Sequence, residues 1–112
     1  MIVRNVTRGL VLGDAVRQAD SFISRLKGLM FTPRLESGQG LLIRPCQAVH
    51  THFMRFSIDV IFLDGAGRVV WVMTAMPPWR QSPFIRGAEA VLELPAHAAG
   101  TTGPGDQLEL IG

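Results

Sequence analysis

The sequence predicts an α+β domain: a mainly antiparallel sheet, curled or partly closed into a barrel, with one amphipathic helix packed on it. Three observations support this class. Apolar residues make up 47% of the 112 residues, which is enough for a packed core. The 12 glycines and 7 prolines occur without a low-complexity run, which is typical of short strands joined by many turns. One window, 20–30, spaces its apolar residues as a helix does.

The N-terminal third predicts two strands and the helix. Residues 2–16 are rich in valine and leucine and are interrupted at Gly9 and Gly13, which predicts two short strands. Ser21 then offers a helix N-cap. The apolar residues that follow at helical spacing are Phe22, Ile23, Leu26, Leu29 and Met30. Pro33 ends the helix, because the residue before a proline avoids the helical region. We expect this helix to cover one face of the sheet.

The middle of the chain predicts the central strands. Residues 40–44 form a short buried strand that Pro45 ends. Ile58–Leu63 and Val69–Met76 are the clearest strands, and the turn residues 64–67 between them predict a hairpin. Both strands are apolar on both faces, so we expect each to be covered on both sides.

The C-terminal part predicts two further strands, at 88–94 and 107–111, for a total of six or seven. Pro95 begins a single helical turn over 96–99. Residues 76–86 are different, because three prolines exclude a central strand there. This irregular loop carries Trp79 and Phe84, which either bind a ligand or fold back as a lid on the core.

Composition and charge narrow the classes of function. The net charge is +2 and the basic residues are scattered, so we expect no nucleic-acid partner. No apolar run reaches the roughly 18–20 residues of a membrane span. Residues 1–12 lack a signal-peptide core, so we expect a cytoplasmic chain, or an exported one if a leader has been removed. We expect a single domain over 1–112, monomeric or weakly oligomeric, without a cofactor.

The window 45–59 concentrates the groups able to bind or react. It holds the single cysteine, two of the three histidines, an arginine and an aspartate. It also precedes the most apolar run of the chain, so these groups are expected at the edge of a rigid sheet. We therefore look for function here.

A metal site is one interpretation of this window. Cys46, His50 and His52 are suitable ligands. Two histidines that are separated by a single residue on a strand point to the same face. No fourth ligand lies near in sequence, and neither a paired cysteine motif nor a His-Glu-x-x-His motif occurs. We therefore keep these three residues as candidates but expect no metal.

Thiol catalysis by Cys46 with His50 as base is a second interpretation. It requires a thiolate at neutral pH, which a nearby imidazole could produce. A lone free cysteine, however, is more often a small buried apolar residue than a nucleophile. We expect no catalytic residues, with Cys46 and His50 as the candidates.

Asp59 shares a predicted strand face with Ile61 and Leu63. A carboxylate on an apolar face needs a partner, because an unpaired buried charge is costly. The nearest predicted partners are Arg55 and either His50 or Thr51. Asp59 then has one of two roles. It either holds the segment that leads into the sheet through an ion pair or hydrogen bonds, or it is an acidic group at the floor of a pocket.

Several segments of the chain share a pattern with known proteins: 26–31, 40–43, 45–46, 50–64 and 91–95. The most specific is the run His-Thr-x-x-Met-Arg-Phe before Ile-Asp-Val. On this pattern the chain resembles the bacterial and archaeal family called domain of unknown function 192, also uncharacterised protein family 0127. We expect a bacterial member.

The resemblance implies a compact β-rich α+β body like a partly closed barrel, and it implies no established activity. The family pattern matches His50, Thr51, Met54 and Asp59. It usually has an aromatic residue or a glycine where this chain has His52, which weakens the metal interpretation. Cysteine at the position of Cys46 is common but not universal in the family, which weakens the interpretation of Cys46 as a catalytic thiol.

The preferred prediction is a binding module for a small anionic or peptidic ligand. Its groove would lie between the segment 46–59 and the loop 77–86, with Phe84 adding apolar contact. The predicted ligand-binding residues are His50, Thr51, Met54, Arg55, Asp59, Trp79 and Arg80. The alternatives are a structural or interaction domain without a ligand, and an enzyme that uses either Cys46 with His50 or a metal.

Overall fold

Eight β-strands make up most of the regular structure of the protein. The computed structural model describes residues 1–112 except 20, 22, 23, 26, 27 and 31. The strands are β1 (Ile2–Asn5), β2 (Leu10–Gly13), β3 (Ala15–Ala19), β4 (Gln39–Ile43), β5 (Ile58–Leu63), β6 (Val69–Met76), β7 (Ala90–Pro95) and β8 (Leu108–Ile111).

The strands form two sheets. The smaller has the order β2-β1-β8 and is antiparallel. The larger has the order β3-β4-β7-β5-β6, in which β3 and β4 run parallel and the other neighbours antiparallel. Because β3 and β6 are the two edges of the larger sheet and do not pair with each other, the predicted partly closed barrel is wrong.

The predicted α+β class is also wrong, because the described structure is nearly all β and contains no helix as an element. Within the window 20–30, only Ser24 and Arg25 of the described residues are helical. Gly28 donates a hydrogen bond to Ser24 at 3.0 Å and has a φ of 52°. A residue in the left-handed region is typical of a helix end, so this turn stops before the predicted Met30. The predicted helical residues 22, 23 and 26 lie outside the described part of the chain.

The predicted hairpin is confirmed, with Ile58–Leu63 and Val69–Met76 as its strands. Asp64 holds the turn, since its Oδ1 accepts hydrogen bonds from the amides of Ala66 and Arg68, both at 2.9 Å. The N-terminal region differs from expectation, because it forms three strands rather than two.

β7 lies inside the larger sheet and separates two apolar clusters. Leu92 and Leu94 face one cluster, with residues of both sheets. Val91 faces the other cluster, and there the described residues outside strands include Leu29, Val49 and Met54. The prediction that the hairpin strands are covered on both sides is confirmed for β5, since all six of its residues are buried. It is wrong for β6, which is an edge strand with Trp71 and Thr74 exposed. The second face of the larger sheet is covered at least partly by loop segments.

The described residues include no helix with the length and apolar character needed to cross a lipid bilayer.

Candidate functional site

The segment 46–52 and the loop 77–89 lie side by side and run antiparallel. Each is irregular by itself, but backbone hydrogen bonds join them. Backbone amides donate across the pair from Ile85 to Gln47 (2.9 Å), from Ser82 to Val49 (2.8 Å), from Thr51 to Arg80 (2.8 Å) and from Trp79 to Thr51 (3.0 Å). The prolines prevent a regular strand, yet these bonds give the backbone of the loop hydrogen-bond partners on the segment 46–52.

Two hydroxyl side chains reinforce the pair. Thr51 is fully buried, and its hydroxyl donates to the carbonyl oxygen of Pro77 at 2.6 Å and accepts from the amide of Arg80 at 2.9 Å. The hydroxyl of Ser82 accepts from the amide of Val49 at 2.9 Å. Thr51 therefore has a structural role in the site, because a ligand cannot reach it.

Four rings form a continuous series on the outside of the paired segments, here called the aromatic face: His50, His52, Trp79 and Phe53. Their centroids are 5.0 Å apart for the two histidines, 5.6 Å for His52 and Trp79, and 4.8 Å for Phe53 and Trp79. Trp79 is 57% exposed and Phe53 48%. A shallow hollow of about 260 Å³ adjoins this face, lined by Ala48, Val49, His50, His52 and Gln81.

The backbone of both exposed aromatic residues is in the left-handed region, with φ of 64° at Phe53 and 63° at Trp79. Residues with a Cβ rarely adopt this conformation, which costs about 1–2 kcal/mol each. The bonds of Thr51 fix the geometry: its carbonyl accepts from the amides of Trp79 and Met54. Backbone strain of this kind is concentrated at functional sites in proteins.

His50 is neutral around pH 7. Burial, and then the nearby His52, lower its pKa below the ordinary value. Its Nδ1 lies 3.2 Å from the amide nitrogen of His52 and accepts that proton, so the imidazole hydrogen is on Nε2. His50 can therefore donate a hydrogen bond from Nε2.

Asp59 and Met54 do not reach the aromatic face, because both are buried. The predicted partners of Asp59 are replaced by backbone amides: Oδ1 accepts from Ala75 at 2.8 Å and Oδ2 from Ala99 at 2.9 Å. The pairing of β5 with β6 is irregular at this point, and Ala75 has a φ of 49°. The carboxylate thus satisfies an amide that the interrupted ladder leaves without its regular partner.

The structure does not support a reactive thiolate at Cys46. Its thiol is half-buried and donates to the carbonyl oxygen of Ala48 at 3.1 Å. Burial raises the pKa of the thiol, which is opposite to the change that a nucleophile needs. As for metals, no three histidine, cysteine, aspartate or glutamate side chains of the described residues are placed to hold an ion.

Phe84 and the arginines take different positions. Phe84 is 70% exposed and lines a separate open hollow of about 690 Å³ with residues 44–48, 64–65 and 88–90. Arg55 and Arg80 are exposed, each within two positions of an aromatic-face residue. The site residues that the structure brings together at the surface are therefore His50, Trp79 and the backbone of Arg80.

Glu93 was not predicted as a site residue. It is 2% exposed. Among the described residues, its Oε1 is the one buried side-chain polar atom that forms no hydrogen bond. In the strand predicted over 88–94, alternation places it on the same face as Glu89. The signal that could have identified it is Val91, an apolar residue on the same strand face.

These features define a small globular domain, nearly all β, with an exposed aromatic face. The chain belongs to the DUF192 family, which is described as an uncharacterized ACR, because the family profile matches residues 4–110. The resemblance noted in the sequence is thereby confirmed.

Curated relatives carry the name UPF0127 protein. One from Thermococcus sibiricus is 38% identical over 95 residues, covering 81% of this chain and 61% of its own length. One from Pyrococcus furiosus is 44% identical over 94 residues, covering 81% of this chain and 80% of its own length. The chain thus spans less than two thirds of the Thermococcus sibiricus protein. Because these relatives are archaeal, the expectation of a bacterial protein is wrong.

Two solved structures share the fold. A protein of unknown function from Novosphingobium aromaticivorans has a TM-score of 0.82 at 25% identity, covering 97% of this chain and 82% of that one. A protein from Sinorhizobium meliloti has a TM-score of 0.78 at 22% identity, covering 96% and 89%. The second likeness concerns the fold alone.

Proposed function

We propose that this domain is a binding module whose aromatic face takes an acidic peptide segment. One observation carries the proposal: Phe53 and Trp79, both at left-handed φ and about half exposed, lie with ring centroids 4.8 Å apart beside the two histidines. Large aromatic side chains that the backbone holds outward under strain are typical of recognition rather than of packing.

The face is preformed, which favours binding. The backbone bonds between Thr51 and the loop hold Trp79 and Arg80 in place without a ligand. A partner therefore loses little free energy to ordering of the site. Thr51, Met54 and Asp59 are buried, so they support the structure of the face and do not contact the ligand.

Charge indicates the sign of the ligand. The segments 44–58 and 77–88 together contain four arginines and neither an aspartate nor a glutamate. Arg55 and Arg80 are the two nearest the aromatic residues in sequence. An acidic group on the ligand could pair with them, while apolar atoms of the same ligand stack on the rings.

The shape of the face favours a peptide over a compact small molecule. The hollow beside His50 has a volume of about 260 Å³ and is open, whereas sites for small molecules are usually closed clefts of roughly 300–1,000 Å³. A row of rings is suited to an extended segment, which can contact several of them in turn.

Tryptophan fluorescence tests this proposal. In a Trp71→Phe background, Trp79 is the only tryptophan, since the chain has two. Acidic, neutral and basic peptides of equal length are titrated, and an acidic peptide is expected to change the emission with a preference of about tenfold. Trp79→Ala in the natural chain should weaken that binding by about tenfold or more, measured by calorimetry.

Trp71→Ala is the matched control, because Trp71 is 51% exposed but lies on β6 outside the ring series. It should leave peptide affinity unchanged. The proposal is wrong if acidic peptides bind no better than basic ones, or if both tryptophan variants lose the same affinity. Binding of small anionic molecules but not of peptides would also overturn it. Self-association that Trp79→Ala abolishes would instead assign the face to a second copy of the chain.

A further inference from the structure

The Glu93 carboxyl lies in the middle of the larger sheet without a partner. On β7, Glu93 pairs with Leu41 of β4 on one side and Val60 of β5 on the other. It is 2% exposed, and no described residue forms a hydrogen bond with its Oε1. A buried polar atom left in this way costs about 1–3 kcal/mol, which indicates either a function or a bound group at this position.

Glu93 borders a small cavity behind the segment 46–50. The cavity has a volume of about 60 Å³, and its lining includes Arg25, Gly28, Cys46 and His50. Roughly 10–15 Å³ is enough for one water molecule, so the space also admits the end group of a ligand. Gly28 leaves the approach open, because even a Cβ there would lie 3.9 Å from Oε1.

The described lining is mostly apolar, and its polar or titratable side chains are Arg25, Cys46, His50 and Glu93. His50 carries its proton on Nε2, because Nδ1 accepts from His52. Arg25 brings a positive charge that acts on Cys46. The Cys46 thiol itself is committed to the carbonyl oxygen of Ala48. Burial raises the pKa of Glu93 to about 8, so at neutral pH this side chain is also a donor.

We propose that this cavity receives a carboxylate group of a ligand, with the Glu93 carboxyl donating a hydrogen bond to one carboxylate oxygen. An ammonium group is the poorer occupant, since it carries only donors and would meet the donors of Glu93 and His50. The site is distinct from the aromatic face and shares with its hollow only Ala48, Val49 and His50. The inference therefore does not depend on peptide binding at that face.

The ionisable groups facing Glu93 determine how binding changes with pH. Among described residues they are Arg25, Cys46 and His50, because the strand neighbours Leu41 and Val60 do not titrate. Between about pH 7 and about pH 9, His50 stays neutral and the Cys46 thiol stays mostly protonated, since their pKa values are lowered and raised respectively. The main change in this interval is the ionisation of Glu93.

Acetate is the probe, and its dissociation constant is measured by NMR from the methyl signal of Met30, which lines the cavity. Sodium chloride at equal ionic strength is the blank. Wild type should bind acetate about tenfold more weakly at about pH 9 than at about pH 7, because ionised Glu93 no longer donates and repels the anion. Glu93→Gln should bind at both pH values with about equal affinity, since an amide donates and cannot ionise.

Glu93→Leu removes the donor and should lose the acetate response. Glu89→Gln, an exposed neighbour, and Trp79→Ala should both keep the wild-type response, so failure here is distinguishable from failure at the aromatic face. No acetate response of wild type at about pH 7 overturns the proposal. The proposal is also wrong if methylammonium binds wild type more tightly at about pH 9 than at about pH 7 and does not bind Glu93→Gln. The methylammonium titration of wild type remains informative even if a variant fails to fold.

Discussion

The hydroxyl of Thr51 donates a hydrogen bond of 2.6 Å to the carbonyl oxygen of Pro77, which joins the histidine-bearing segment to the start of the proline-rich loop. The same oxygen accepts from the amide of Arg80 at 2.9 Å. One buried side chain thus fixes the two residues that flank the turn at Trp79. The hydroxyl therefore supports the backbone that carries the tryptophan ring.

Thr51→Val should therefore destabilise the protein and loosen the loop. Valine has the same shape but leaves the Pro77 carbonyl and the Arg80 amide without their partner, at a cost of about 1–3 kcal/mol. Urea unfolding measures the loss, and amide exchange at Arg80 should become faster. Thr74→Val, at an exposed position of β6, is the control and should change stability little. Equal stability of the two variants would show that the hydroxyl is not needed.

Backbone strain at Phe53 can be measured with a pair of substitutions. Because φ is 64° there, Phe53→Gly should be more stable than Phe53→Ala by about 1 kcal/mol. At Phe84, whose φ is not positive, the order should reverse, since glycine adds freedom to the unfolded chain. Thermal unfolding of the four variants compares them directly. Alanine as the more stable residue at both positions would show that the left-handed backbone is not strained.

Asp59→Asn should destabilise the fold by about 3 kcal/mol. Each carboxylate oxygen accepts one backbone amide, from Ala75 and Ala99, and an asparagine would turn its NH2 group towards one of those donors. Asp64→Asn is the matched control: one oxygen accepts both of its bonds, so an amide can keep them. Chemical denaturation of both variants is the measurement, and similar midpoints would contradict the assigned role.

Glu93 should give the stability a distinctive pH dependence. Its pKa is raised from 4.5 in the unfolded chain to about 8 in the folded one. Between these pH values the folded state holds the proton more tightly than the unfolded state. The contribution of Glu93 to the free energy of unfolding therefore falls as pH rises from about 4.5 to about 8, and it is constant above about pH 8. Glu93→Gln should lack this fall, and its free energy of unfolding should exceed that of wild type by a few kcal/mol near pH 8.

The difference in unfolding free energy between wild type and Glu93→Gln, measured at several pH values, isolates this contribution from other titrating groups. A difference that does not change with pH would mean that Glu93 is ionised in the folded protein, with a partner. The same result would remove the donor on which the proposed carboxylate site depends.

The sequence was most informative where a pattern is local. The β5–β6 hairpin was predicted correctly because its strands are apolar on both faces and its turn residues are distinctive. The segment around His50 and the loop of Trp79 do lie together, as the groups they carry had suggested. What failed was the helix over 20–30, since a short apolar periodicity does not fix where a helix ends and Gly28 adopts a left-handed backbone.

The environment of Glu93 and Asp59 could not be predicted, because it depends on residues distant in sequence. The face of β7 that carries Glu93 is covered by Leu29, Val49 and other loop residues, and alternation within β7 cannot reveal that cover. Asp59 had candidate partners nearby in the chain, yet its bonds go to backbone amides of Ala75 and Ala99. A side chain's charge indicates that it needs a partner but does not indicate which one.

The order β2-β1-β8 has a consequence for biosynthesis. β1 is translated before the other strands described, but one of its two neighbours is β8, which is the last of these strands to be made. Until then β1 has an open edge, and Val3, fully buried in the finished protein, lacks part of its cover. The three-stranded sheet therefore closes only after β8 has been translated, and nascent chains stalled before that point should be preferred clients of chaperones.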